Sequence, residues 1–195
     1  MSFISDLRQI CEVKSSELFH TTSFEGLLGI LKDKKLKSRN INNSFISFSE
    51  VPYLGDISGN DIVLVFNRNK LRNQLIKVEY TKKWYEQYTD QAAYIAGEGW
   101  LAQFDIDDWI DSDDIDIETG EVDSDVENEV YAQAEMQAFL DKSSEKEWIT
   151  RQEMQPVSFD YDDIYVILVP DRTKIDMVKS WLDDLGINIK IKSLR

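Results

Sequence analysis

Five consecutive apolar residues, Ile62-Val63-Leu64-Val65-Phe66, set the first constraint on what this chain folds into. The run does not alternate with polar residues, is rich in β-branched side chains, and is bounded by Asp61 and Asn67. Such a segment reads as a buried strand, over Asp61–Asn67. It is far too short to cross a bilayer, which takes about 20 apolar residues in a helix. A buried strand needs neighbours, and the sequence offers several. Leu18-Phe19-His20 is a compact strand, Leu75–Tyr80 another, and Glu147–Thr150 and Ile164–Val169 two more. Phe45-Ile46-Ser47-Phe48-Ser49 alternates apolar and hydroxyl residues as a half-buried strand does, with Pro52 limiting its extension. Ile187–Ser193 alternates as a closing edge strand.

Helical segments lie between these strands. Ser23 stands where an N-cap belongs, before Phe24, Leu27, Leu28, Ile30 and Leu31, and the helix ends near the basic run Lys32–Lys35, which its dipole favours. An amphipathic stripe over 3–14 (Phe3, Leu7, Ile10, Cys11) predicts a short helix. Residues 82–104 are aromatic-rich and partly helical, interrupted at Gly97-Glu98-Gly99. Helices are expected over about Val126–Leu140 and over Thr173–Leu185, the second with Gly186 at its C-terminal side. Mixed strands and helices in this order predict an α+β fold. With 195 residues, 42% of them hydrophobic, and no internal repeat or linker, the expected organisation is one domain over 1–195. A single cysteine, Cys11, excludes an internal disulfide and a thiolate metal cluster, and no metal is expected. The first residues do not form a basic leader followed by an apolar stretch, so the expected location is the cytoplasm, with no membrane association.

Charge is concentrated in one place. Residues 105–129 hold thirteen of the 37 acidic residues and no lysine or arginine; the remaining 24 nearly balance the 22 basic residues elsewhere. The formal net charge of −15 therefore belongs mostly to one segment, read as an acidic insertion. The spacing of its carboxylates invites a calcium reading. It lacks the Asp-Xaa-Asp-Xaa-Asp-Gly order with a glutamate at the twelfth position, so an EF-hand is not expected. No glycine-rich phosphate loop occurs.

Three separated pieces carry chemistry. His20-Thr21-Thr22 ends a strand just before a helix, where a histidine can donate a ring N–H to a ribose hydroxyl and the backbone can pair with an amide. Ser47-Phe48-Ser49 puts two hydroxyls on one face, with Phe45 and Phe48 available for packing or stacking. Glu145-Lys146-Glu147 enters a strand with a carboxylate able to stabilise an oxocarbenium-like centre or to act as a general base.

Taken in order, His20-Thr21, the helix motif Leu27-Leu28-Gly29-Ile30-Leu31-Lys32, Ile46-Ser47-Phe48-Ser49-Glu50-Val51-Pro52-Tyr53-Leu54, Val65-Phe66-Asn67-Arg68-Asn69-Lys70-Leu71 and the late Glu145-Lys146-Glu147 resemble the ADP-ribosyltransferase superfamily. The nearest flavour is that of small phage and bacterial members related to the DarT-like and poly(ADP-ribose) polymerase branches. The resemblance covers roughly 17–80 and 140–170. It implies a split mixed β-sheet core with flanking helices, and NAD as substrate between the halves. By motif position it implies His20 and Thr21 as NAD contacts, Ser47 and Ser49 as support for that pocket, Glu147 as the catalytic carboxylate and Glu145 as its accessory. Arg39 is implied as a phosphate contact. The Ser-Phe-Ser motif stands where arginine-specific members carry Ser-Thr-Ser, and His20 stands where they carry arginine. The implied activity is transfer of ADP-ribose to a macromolecule, a protein with a basic patch first and nucleic acid second, in a conflict between phage and host.

Plainer readings stand beside these. A strand-end histidine is often structural, serines are ordinary on a half-exposed strand, and Glu145-Lys146-Glu147 is also a solvated turn. Trp84, Tyr85, Tyr88, Tyr94, Trp100 and Trp109 form either a base-stacking platform or core packing. Two further functions remain open: an acidic decoy whose 105–129 segment occupies a basic, nucleic-acid-binding surface of a partner, or a transferase fold that binds ligand without turning it over.

Overall fold

The structure, a computed structural model, describes residues 16–38, 45–51, 61–97, 124–142, 146–170 and 172–193. These fall into two compact units, one comprising Met1–Val78 with Glu145–Arg195 and the other Glu79–Ser144. The expected helix over 3–14 with Cys11, Arg39, Pro52, Glu145, Trp100, Trp109 and the acidic segment up to residue 123 lie outside the described residues.

The first unit is α+β, as expected. Its strands are β1 (Glu17–Ser23), β2 (Lys35–Leu36), β3 (Ser47–Ser49), β4 (Asp61–Asn67), β5 (Leu75–Lys77), β6 (Glu147–Thr150), β7 (Val157–Ser158), β8 (Ile164–Val169) and β9 (Ile191–Ser193). Seven of them form one mixed sheet in the order β5-β6-β3-β1-β4-β8-β9. All its pairings are antiparallel except β8 with β9. The predicted run over Asp61–Asn67 is β4. Ile62, Val63, Leu64, Val65 and Phe66 are all buried on both pleats, which is what a run without alternation requires.

Helix α1 (Phe24–Asp33) starts at Ser23, whose Oγ accepts from the Gly26 N–H at 3.1 Å, so the expected N-cap is the observed one. Leu27 and Leu31 on its inner face are fully buried. After α2 (Arg68–Leu71), the remaining helix of this unit is Ile175–Asp184, preceded by a 3-10 turn at Arg172–Lys174, so the expected helix from Thr173 begins two residues later. It ends in a Schellman arrangement: the Gly186 N–H bonds the Asp183 carbonyl at 3.0 Å and the Ile187 N–H bonds Leu182 at 2.8 Å. Gly186 has a φ of 66°, the left-handed conformation this cap demands. Val178 and Leu182 of that helix join Leu27, Leu31, Leu18, Phe48, Leu64 and Phe66 in one core, and the Phe24 and Trp181 rings meet at 4.6 Å between the two helices.

Three expected strands are shorter than their periodicity, the first being Phe45–Ser49, of which only Ser47–Ser49 is strand. Only Leu75–Lys77 of the expected Leu75–Tyr80 is strand, although the Val78 N–H still bonds the Glu147 carbonyl at 2.9 Å. Only Ile191–Ser193 of Ile187–Ser193 is strand, because Ile187 and Ile189 bury their side chains at the cap, before the chain reaches β8. The ladder of β2 with β7 is two residues long on each side and carries no periodic signal. The Gln74 amide reinforces it from the flank, donating to the Ser158 carbonyl at 2.7 Å and accepting from the Ser158 N–H at 2.9 Å.

The second unit is helical in its described residues: α3 (Lys82–Gln87), α4 (Thr89–Ala96) and α5 (Ser124–Asp141), after which the first unit's Ile175–Asp184 is α6. Phe139 is fully buried and stacks on Trp84 at 5.4 Å with an 8° interplanar angle. Tyr80 and Tyr85 approach the same ring at 5.1 and 5.8 Å. Tyr85 Oη donates to Glu135 at 2.6 Å. Of the four described members of the aromatic group, Trp84 and Tyr85 pack on Phe139, Tyr88 meets the Trp84 ring at 4.9 Å, and Tyr94 is exposed. No helix among the described residues is long and apolar enough to cross a membrane.

Candidate active site

Strands β6, β3 and β1 are consecutive neighbours in the sheet, so three motifs far apart in sequence lie side by side. Pairing is full on one side of β1 and minimal on the other. With β4 it runs over seven residues, from Glu17↔Asn67 to Ser23↔Asp61; with β3 it consists of one registered pair, Phe19↔Ser49. The sheet is thus a four-stranded half (β1-β4-β8-β9) and a three-stranded half (β5-β6-β3) joined at a narrow seam.

His20 stands next to that pair. Its Nδ1 lies 3.0 Å from the Ser47 carbonyl oxygen, across the seam where main-chain pairing has ceased. A carbonyl only accepts, so Nδ1 carries the proton. Loss of hydration on burial holds the imidazole below its ordinary value of 6.5, with the Ser47 hydrogen bond opposing in part. At neutral pH the ring is therefore neutral and its one N–H is committed to β3. Nε2 is left as an acceptor. With Nδ1 turned to the Ser47 carbonyl, the ring nitrogen left to a ligand can accept a hydrogen bond and not donate one, the reverse of the donor role expected from the sequence. The His20 ring also meets the Phe48 ring at 5.2 Å.

Strand alternation sorts the other residues. Ser49 registers with Glu147 on β6 and with Phe19 on β1, and Phe48 registers with Trp148. Ser47, Ser49, Thr21 and Glu147 therefore share one pleat, and His20, Phe48, Trp148 and Glu50 share the other. Glu147 and Ser49 are direct cross-strand partners, with Cβ atoms about 5 Å apart by the geometry of such pairs. Two strand spacings, about 9–10 Å, separate β1 from β6. The structure thus brings Ser47, Ser49 and Glu147 together on one face, and places His20 at the seam on the opposite pleat. Thr21 is exposed; Ser47, Ser49 and Glu147 are half-buried. The Ser49 Oγ accepts from the Val51 N–H at 3.1 Å, leaving its own proton to offer. Phe45 and Phe48 were open to packing or stacking; at 4% and 2% exposure they pack. Arg39 and Glu145 fall outside the described residues.

No protein-family model matches this sequence, and no curated protein does. Among solved structures the chain is similar to DarT of Thermus sp. 2.9 in complex with NAD+, at 11% identity and a TM-score of 0.46, covering 92% of this chain and 96% of that one. The same protein in complex with carba-NAD+ gives 12% identity and a TM-score of 0.45 over 93% and 96%. In complex with ADP-ribosylated ssDNA it gives 11% and 0.45 over 91% and 93%.

One residue at this site escaped the reading of the sequence. Glu50 Oε1 accepts from Arg68 Nη1 at 2.8 Å and from the Trp148 indole N–H at 2.9 Å, with Lys77 Nζ at 3.9 Å. Burial alone would raise its carboxyl, but the Trp148 hydrogen bond, Lys77 and Arg68 more than offset this, and it titrates below the usual carboxylate range. The Arg68 guanidinium also sits 5.7 Å over the Trp148 ring. The signal was present in Ser47-Phe48-Ser49-Glu50 and Asn67-Arg68, but nothing local joins a glutamate to an arginine 18 residues on and a tryptophan 98 residues on.

Proposed function

We propose that this chain transfers ADP-ribose from NAD to a macromolecular acceptor and releases nicotinamide. The observation that carries the reading is the order β6-β3-β1, which sets the late carboxylate, the paired hydroxyls and the His-Thr motif on three adjacent strands. The substrate enters where β1 and β3 part. On the β3 side, Ser47 and Ser49 offer hydroxyls to the nicotinamide ribose and amide. On the β1 side, His20 offers Nε2 to a ribose hydroxyl, and Thr21 supplies a further contact. Glu147 accepts from the ribose 2′-hydroxyl and stabilises positive charge as the bond from C1′ to the nicotinamide nitrogen breaks, the bonding pair leaving with nicotinamide. The acceptor nucleophile then bonds to C1′ and its proton passes to Glu147 as general base. Arg39 as diphosphate contact and Glu145 as accessory carboxylate complete the reading.

A protein with a basic patch is the first acceptor to assay, because the acidic segment 105–129 complements it. Single-stranded DNA is the second. The test incubates the chain with NAD labelled in the adenylate moiety and each acceptor, following nicotinamide release and label transfer. Wild type should do both, and Glu147→Gln should lose both by about 100-fold or more, the scale of a lost transition-state electrostatic partner. Wild type indistinguishable from Glu147→Gln removes the proposal.

A further inference from the structure

Glu147 is held at both of its chain neighbours by a single residue. On its N-terminal side, the Lys146 carbonyl accepts the Glu50 backbone N–H at 2.7 Å. On its C-terminal side, the Trp148 indole donates to the Glu50 side chain at 2.9 Å. Glu50 in turn follows Ser49, the cross-strand partner of Glu147, so backbone register and side-chain bond act on the same two-residue step of β6. The far side of the carboxylate is fixed by Arg68 at the start of α2, at 2.8 Å, and Arg68 is itself anchored through its backbone N–H on the Ser16 carbonyl at 2.8 Å. The exposure of the two side chains, 26% for Arg68 and 16% for Glu50, puts the pair mostly out of water, where such a bond is directional and persistent.

We infer that Glu50, clamped by Arg68 and bonded to the Trp148 indole, is the positioning residue that aims the Glu147 carboxylate. The inference rests on the transferase reading of Glu147. Glu50 is not itself a catalytic residue, because alternation sets its side chain on the pleat opposite Glu147, so it acts through Trp148 and the strand. Its own charge is neutralised by Arg68 and Lys77, so it orients the second carboxylate without opposing its ionisation. Removing the clamp loosens the step of β6 that carries Glu147 on its Lys146 and Trp148 sides. Displacement of a reacting group by about 1 Å costs on the order of 100-fold in rate.

The experiment measures nicotinamide release from NAD for wild type, Glu50→Gln, Glu50→Ala and Glu147→Gln, with kcat and KM separated. It also records the indole N–H resonance of Trp148, assigned by its absence in Trp148→Phe. Glu50→Gln keeps an acceptor for the indole and loses the charge that Arg68 grips. Its kcat should fall about tenfold, and that of Glu50→Ala about 100-fold, each with KM within about twofold of wild type. The Trp148 resonance should move in Glu50→Ala and stay near its wild-type position in Glu50→Gln. Should Glu50→Ala fail to fold, Glu50→Gln and Arg68→Lys carry the same kcat test. If wild type is active and Glu147→Gln is dead while the Glu50 variants keep wild-type kcat, or lose only KM, the positioning role is overturned and the transferase reading stands. If wild type releases no nicotinamide, both fall together.

Discussion

Acidification should destabilise this protein through one identifiable ring. His20 is the only histidine in the chain, and its folded-state pKa lies below the ordinary 6.5 because its ring is desolvated. For a base with a depressed folded pKa, folded and unfolded states are both neutral well above 6.5 and nothing is lost there. As pH falls through 6.5 the unfolded chain takes up a proton that the folded chain refuses, and stability drops until the folded pKa is reached. For a ring that stays neutral over the range, the difference between pH 7 and pH 5.5 is at most about 1.3 kcal/mol. In a chain of this size that corresponds to roughly 3–5 °C in Tm. The control is His20→Asn, whose amide still donates to the Ser47 carbonyl but does not titrate. Urea unfolding at both pH values should show wild type losing more stability than His20→Asn. Glu50 and Asp33, held below their ordinary carboxylate values, lose their contribution only below about pH 5, so they add almost nothing between pH 7 and 5.5, and what they add is common to both proteins. Equal losses in wild type and His20→Asn, or a wild type that gains stability at pH 5.5, would refute the argument.

Two further substitutions probe the packing around the site and in the helical unit. Thr150 is fully buried, and its Oγ1 accepts from the Ile46 N–H at 3.2 Å at the start of β3; Thr150→Val keeps the shape, strands that donor and should cost about 1–3 kcal/mol in urea unfolding. Phe139→Ala should cost about 3–5 kcal/mol in the unfolding of the helical unit, with near-ultraviolet circular dichroism from Trp84 and Tyr85 collapsing with it.

What could be read from the chain follows a physical line. Elements whose pattern is local were legible: β4 from its unbroken apolar run, β6 and β8 from short β-branched segments, α1 from Ser23 and the spacing of Leu27 and Leu31. Alternation in Phe45–Ser49 correctly set Ser47 and Ser49 apart from Phe48. It could not reveal that both phenylalanines are fully committed to packing, since an exposed and a covered apolar row have the same period. The register between strands was not legible at all. Nothing near Ser49 specifies that it faces Glu147, and a shift by one residue would have exchanged the pleats of Glu147 and Trp148. For the same reason the sequence gathered His20, Ser47, Ser49 and Glu147 into one set without showing that alternation divides it. Glu50 was missed because its meaning lies wholly in distant partners.

The division by pleat bears directly on how the site works. A histidine at position 20 faces Leu64 across β1 and β4 and Phe48 across the seam, surroundings in which an apolar side chain would pack without any cost on acidification. The sequence instead keeps a titratable ring there, with its one N–H directed at the Ser47 carbonyl, beside a seam with a single registered pair. Departures from local optimality of this kind are expected where a fold serves chemistry and not only stability. Among the described residues, the seam is where β1 and β3 share a single registered pair, so the sheet separates the two pleats least there. Under the proposed function, a substrate at the seam would meet both the ring and the hydroxyls. The imidazole thus links the acid sensitivity of the fold to the position of the proposed site, and a His20→Asn protein that unfolds independently of histidine titration yet binds NAD as wild type does would separate the two.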